Sequence, residues 1–235
     1  VQKYIENPYL VGGKKFDLRI YVLVTNYQPL TCYLYRSGFA RFSAHQYSMK
    51  DIENVFVHLT NHSLQKHSSK YSKDTGGCKW GVRELRQLVI SKHGMAAADQ
   101  MFADIHDLIV HTLLSVQRVI INDKHCFELY GFDLLLDNSL KPWVLEVNAS
   151  PSLTASTPED YELKHNLLDD MLTVIDMEKR LKGNEKTIGG FDLMCKGKPK
   201  FSSSGLQCYL GCYNDREQSL KKLFYSNRSQ GKRSN

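Results

Sequence analysis

Three oxygen-bearing side chains stand out because they sit in strands that otherwise read as protein core. Asp133, Glu146 and Asn148 lie within residues 126–151 (CFELYGFDLLLDNSLKPWVLEVNASP), where two apolar, β-rich runs flank a polar turn at 137–141. That pattern predicts a hairpin. Glu146 and Asn148 are two apart, so their side chains share a face. A four-residue loop over 138–141 pairs Asp137 with Pro142 and, counting back, sets Asp133 opposite Glu146. All three donors then converge on one side of a dry sheet. Two carboxylates so placed repel each other unless a cation lies between them. A small set of hard oxygen donors suits Mg²⁺ held jointly with phosphates better than zinc or an all-protein calcium cage.

A second group of charges lies in Lys14 to Val24, which alternates strictly. Lys15, Asp17, Arg19 and Tyr21 fall on one face; Phe16, Leu18, Ile20 and Val22 fall on the other. The apolar face is core. The polar face reads alone as a solvated surface with cross-strand ion pairs. Beside a metal-and-phosphate hairpin, Lys15 and Arg19 become candidate phosphate ligands. Arg36 closes the next strand, where it either reaches into a cleft or is solvated.

The elements that must position these groups are legible in outline. Residues 1–5 read as a short strand, broken at Asn7-Pro8. After the Lys14 strand, a second hairpin is predicted from Leu30 to Arg36 and Phe39 to Ser43, turning at 36–38. Residues 63–79 are Lys-, Ser- and Gly-rich and read as a mobile loop. Helical spacing predicts helices over 80–92 and 96–116. A third has Thr157 as N-cap, Pro158 at its first position and Gly183 as its stop. The order predicts an α+β fold: an antiparallel sheet with helices packed on one side.

Hydrophobic residues make up 42% of the 235 residues and charged ones 24%, as in globular proteins. No apolar run approaches the roughly 18 residues of a membrane span, and the start does not resemble a signal peptide. Six irregularly spaced cysteines read as reduced and intracellular; Cys208 and Cys212 form a CxxxC with no second pair. The formal charge of +6 is uneven, with a surplus of +7 from Lys196 onward. No aromatic or base-reading motif accompanies it, so nucleic acid is not the expected partner. Residues 184–235 are expected to form a basic, largely disordered tail.

Six ordered blocks carry a resemblance: QKYIENP (2–8), GGKKFDLRIYVLV (12–24), YLYRSGFARFS (33–43), VHLTN (57–61), KHCFELYGFD (124–133) and KPWVLEVNASPSL (141–153). Together they resemble the tubulin–tyrosine-ligase-like family, of the ATP-grasp superfamily. GGFDLM (189–194) and the CKW step (78–80) look most like its ciliary and flagellar polyglutamylases. The resemblance implies a C-terminal ATP-grasp lobe over 1–183, with the upstream lobe expected to be missing. It implies that Gln2, Lys3, Tyr4 and Ile5 form the hinge that holds adenine. It places Lys15, Asp17 and Arg19 (KFDxR) at the phosphates and the reacting carboxylate. It assigns Arg36 to grip the incoming amino acid with Thr60 and Asn61 beside it, and Asp133, Glu146 and Asn148 to Mg²⁺.

The implied chemistry is ATP-dependent ligation of free L-glutamate to glutamate side chains in tubulin C-terminal tails through an acylphosphate. Such phosphoryl transfer needs charge neutralisation and placement rather than a nucleophilic side chain. None of the nine histidines is given a catalytic role; His62, beside the HLTN run, is the one to test. The resemblance further implies cytoplasmic, cytoskeletal placement at a cilium or flagellum, no membrane contact, and possible accessory subunits. Glycine or tyrosine as donor, and a truncated tubulin-binding module without catalysis, remain the alternatives.

Overall fold

The computed structural model describes residues 1–68, 79–123, 125–199, 201 and 207–228. Its elements are β1 (Leu10–Val11), β2 (Lys14–Tyr27), β3 (Leu30–Phe42), α1 (Val55–His58), α2 (His62–Gln65), β4 (Lys79–Gly81), α3 (Val82–His93), α4 (Met95–Val116), β5 (Glu128–Leu136), β6 (Pro142–Asn148), α5 (Pro158–Ile175), β7 (Thr187–Ile188), β8 (Phe191–Lys196), β9 (Lys198–Pro199) and α6 (Arg216–Arg228). The strands form a nine-stranded antiparallel sheet with the main path β6-β5-β2-β3-β8-β7; β1, β4 and β9 pair at its margins.

β2 is central, between β5 and β3, and is buried on both faces. Phe16, Leu18, Ile20, Val22 and Val24 point to one face and pack against α3 and α4 through Leu85, Val89, Phe102 and Ile105. Burying Leu18, Ile20 and Phe102 completely contributes roughly 1.5–3 kcal/mol each relative to exposure. Tyr21 and Leu23 point to the other face with Tyr35 and Phe39, under Leu167, Met171 and Val174 of α5. The fold is α+β, as expected, but the expectation of helices on one side covers only α3 and α4. α5 lies on the opposite face, the one that carries Lys15, Asp17 and Arg19.

Four local expectations are corrected. Residues 1–5 pair with no strand. β3 runs unbroken from Leu30 to Phe42, and the β2–β3 turn falls at Gln28-Pro29, a cis peptide. Residues 35–37 form a bulge rather than a hairpin turn, because the register jumps from Ile20↔Gly38 to Val22↔Leu34. Gly38 is there for close approach: a Cβ would lie 2.5 Å from the Arg19 carbonyl oxygen.

α5 begins as expected, with Thr157 Oγ1 accepting from Asp160 N at 3.2 Å. It ends at Ile175, not near Gly183. Asp176 adopts φ 51° and its carboxylate accepts from the Arg180 and Leu181 amides, at 2.7 and 2.8 Å, a side-chain alternative to another helical turn.

The segment after 183, expected to be largely disordered, supplies β7, β8 and β9. Phe191, Met194 and Cys195 are buried against the sheet. The short apolar run FDLMC was the signal, masked by the surrounding Lys and Gly. The predicted 63–79 loop lies mostly outside the described residues, as does Cys78. No described helix is long and apolar enough to cross a membrane.

Candidate active site

The β5–β6 hairpin delivers the predicted juxtaposition by a different route. Its loop holds five residues, with Leu136↔Pro142, Leu135↔Trp143 and Leu134↔Val144 in register. Asp137 organises the loop, accepting from Ser139 N (2.9 Å), Ser139 Oγ (2.6 Å), Lys141 N (3.1 Å) and Trp143 Nε1 (2.9 Å). A bulge at Leu145 then adds one residue to β6 and restores Asp133↔Glu146. Gln2 Nε2 donates to the Leu145 carbonyl at 3.3 Å.

Asp133 is 2% exposed. It accepts from Arg19 Nε (2.5 Å to Oδ1) and Arg19 Nη2 (3.0 Å to Oδ2), and Arg41 Nη2 lies 2.7 Å from Oδ2. Arg41 also forks onto Asp17, with Nε at 3.0 and 3.1 Å and Nη2 bonded to Oδ2. The registers Arg19↔Asp133 and Asp17↔Arg41 set these four charges on three adjacent strands. Asn148 Nδ2 lies 3.1 Å from Glu146 Oε1, 3.5 Å from Asp133 Oδ2 and 3.3 Å from the Gly131 carbonyl. The trio therefore converges. The surface is not dry throughout, because β6 is an edge strand and Glu146 is exposed.

Burial opposes ionisation of Asp133, but the hydrogen bonds from Arg19 and the charge of Arg41 outweigh it and hold the carboxyl below its ordinary value. A depressed folded pKa gives stability that is present above about pH 4, the ordinary carboxylate range, and lost as pH falls through the lower folded value. Denaturant titrations from pH 7 to pH 2 are expected to show this loss on the acid limb. Stability rising below pH 4 would contradict the pairing.

Lys15 is buried, and its Nζ lies 3.2 Å from Tyr4 Oη and 4.5 Å from the Tyr4 ring centre. Tyr4 Oη in turn meets His58 Nδ1 at 2.6 Å, while His58 Nε2 meets the Asp51 carbonyl at 2.9 Å. Burial lowers the Lys15 pKa, with Asp17 opposing. Thus Gln2 and Tyr4 of the 2–5 run reach β6 and Lys15; Lys3 is exposed and Ile5 half-buried. Thr60 is buried and Asn61 exposed in the link after α1.

Arg36 goes elsewhere. Its guanidinium forks onto Asp192 at 2.5 and 2.7 Å and lies 4.9 Å from the Tyr209 ring. The structure brings Arg41, not Arg36, to Asp17 and Asp133. Sequence reasoning missed Arg41 and His58. A single Arg in the apolar run FARF, two residues from a strand end, was the available clue to Arg41. The side chain of His62 lies outside the described residues. Cys208 is buried, which pushes its thiol up to about 12; no cluster of three His, Cys, Asp or Glu suited to a metal occurs among the described residues.

The donor chemistry of the trio fits a hard cation: two carboxylates and an amide whose oxygen faces them once the group is turned end for end. Lys15 and Arg19, on the same sheet face, suit anionic phosphate. The chain matches the Tubulin-tyrosine ligase family over residues 1–182 and belongs to that family. It is 53% identical over 245 residues to a bovine (Bos taurus) protein named probable tubulin polyglutamylase TTLL9, covering 100% of this chain and 53% of that protein. A Caenorhabditis elegans protein named probable tubulin polyglutamylase ttll-9 is 53% identical over 196 residues, 83% of this chain and 47% of its own length. A Tetrahymena thermophila protein named probable alpha-tubulin polyglutamylase Ttll1 is 50% identical over 177 residues, 74% of this chain and 43% of its own length. The chain spans about half the length of these relatives.

Proposed function

We propose that the protein containing this chain is an ATP-dependent ligase that joins L-glutamate, through an isopeptide bond, to glutamate side chains in tubulin C-terminal tails. The observation that carries this reading is the Arg19–Asp133–Arg41–Asp17 cluster beside Glu146 and Asn148, in a family whose relatives are named tubulin polyglutamylases. In this reading Asp133, Glu146 and Asn148 hold Mg²⁺, which when bound screens the charge of the β- and γ-phosphates. Gln2 to Ile5 run along the adenine. Lys15 and Arg19 neutralise the transferred phosphate. Arg41, beside Asp17 and Asp133, takes over from Arg36 the role of gripping the incoming amino acid, with Thr60 and Asn61 near the hinge.

An acceptor carboxylate attacks the γ-phosphorus and ADP leaves. The glutamate amine then displaces phosphate from the acylphosphate, losing one proton as the amide forms. The chain's own groups orient the partners and hold charge, which is most of what such a transfer asks of a protein. The reading places the protein on the cytoskeleton, at a cilium or flagellum, with accessory subunits possible. The cationic surplus after Lys196 would raise the local concentration of acidic tubulin tails.

A competition assay on the complete protein tests the donor. Labelled glutamate is expected to enter tubulin at least about tenfold faster than equimolar labelled glycine or tyrosine, a discrimination of about 1.4 kcal/mol. Preferential glycine or tyrosine entry would overturn the glutamate assignment.

A further inference from the structure

A second buried charge cluster lies on the α5 face of the sheet. Asp160, 6% exposed, gathers two lysines and a turn on one oxygen. Its Oδ2 accepts from Lys79 Nζ (2.9 Å), Lys164 Nζ (3.1 Å), Ser156 N (3.0 Å) and Ser156 Oγ (3.2 Å). Lys164, also 6% exposed, donates to the Thr154 carbonyl as well. These bonds tie down residues 154–156, the far end of the segment that leaves Asn148.

The middle of that segment reaches the candidate site. A Cβ added to Gly131 would lie 2.9 Å from Pro151 Cβ, 3.2 Å from Arg19 Cδ and 3.3 Å from Arg19 Nε. Pro151 and the Arg19 side chain therefore share the space over Gly131, whose carbonyl accepts from Asn148. Freeing residues 154–156 would let Pro151 lift and give Arg19 room to leave Asp133.

We infer that Asp160 and Lys164 are positioning residues that set the Arg19–Asp133 geometry through Pro151, and so set the affinity of the oxygen trio for a hard divalent cation. The inference rests on the proposed reading of Asp133, Glu146 and Asn148.

Mn²⁺ is the probe, with free ion followed by electron paramagnetic resonance during titration of the complete protein. Lys164→Met is expected to tighten binding about tenfold, because Arg19 leaving Asp133 takes a positive charge off one of the trio's carboxylates. Lys164→Arg, which can still donate to Thr154 and Asp160, is expected to stay within about twofold of wild type. If Lys164→Met does not fold, Lys79→Met removes the outer of the two lysines and is read the same way. Wild-type Mn²⁺ affinity in the folded methionine variant, with binding lost in Glu146→Gln, would overturn this inference alone. Wild-type affinity in Glu146→Gln would overturn the trio and the inference together.

Discussion

Glu146→Gln is expected to leave the complete protein folded and to lower glutamate incorporation into tubulin at least about 100-fold, the scale of removing a charged group aimed at the reacting phosphates. Folding should survive because Glu146 is exposed on an edge strand, and its hydrogen bond comes from the Asn148 amide. Gln keeps the shape and one oxygen but loses the negative charge. Two carboxylates become one, and the pull on a divalent ion drops accordingly. Raising Mg²⁺ should recover part of the rate. Unchanged incorporation, in a variant with wild-type circular dichroism, would remove Glu146 from the site.

Arg41→Met is expected to act on stability as well as activity. Arg41 forks onto Asp17 and touches Asp133, and both carboxylates are 2% exposed. Breaking a buried pair by deleting one partner costs about 3–5 kcal/mol, because the remaining charge stays buried. Arg19 still covers Asp133, so Asp17 carries most of that cost. Arg36→Met is the contrast: its pair with Asp192 is less buried than the Arg41–Asp17 pair, and the loss should be smaller, about 1–3 kcal/mol, with incorporation kept. Urea denaturation of the two variants separates the cases. Equal losses, or a larger one for Arg36→Met, would mean that the Arg41 cluster is not the buried centre of charge.

The alternation in KFDLRIYVLV was enough to make β2 a strand with a core face and with its cations and acid on the other; its central place in the sheet was not legible. The convergence of Asp133, Glu146 and Asn148 was legible too, though through two errors that cancel. The loop is one residue longer than counted, and the Leu145 bulge returns the register. Neither length nor bulge is written in the periodicity, since a bulge costs one residue and leaves the pattern on either side intact.

Arg36 and Arg41 could not be told apart on the same grounds. Both stand near the end of a run, and only the pairing partner of each decides which carboxylate it meets. That partner depends on a bulge at 35–37 made possible by Gly38. The end of α5 was hidden for a related reason: Asp176 stops the helix by a side-chain bond, while Gly183 looked like the better stop. β8 was hidden by composition, as its six residues sit between glycines and lysines and their burial does not alternate. His58 was invisible because its role is to meet Tyr4, 54 residues away.

The joint holding of a hard cation and a nucleotide's phosphates by this hairpin has a spectroscopic signature. With Mn²⁺ and ATP on the complete wild-type protein, phosphorus-31 hyperfine coupling is expected on the bound metal, and Glu146→Gln should lose the bound species. Mn²⁺ that binds without phosphorus coupling, or a coupled signal that persists in Glu146→Gln, would contradict it.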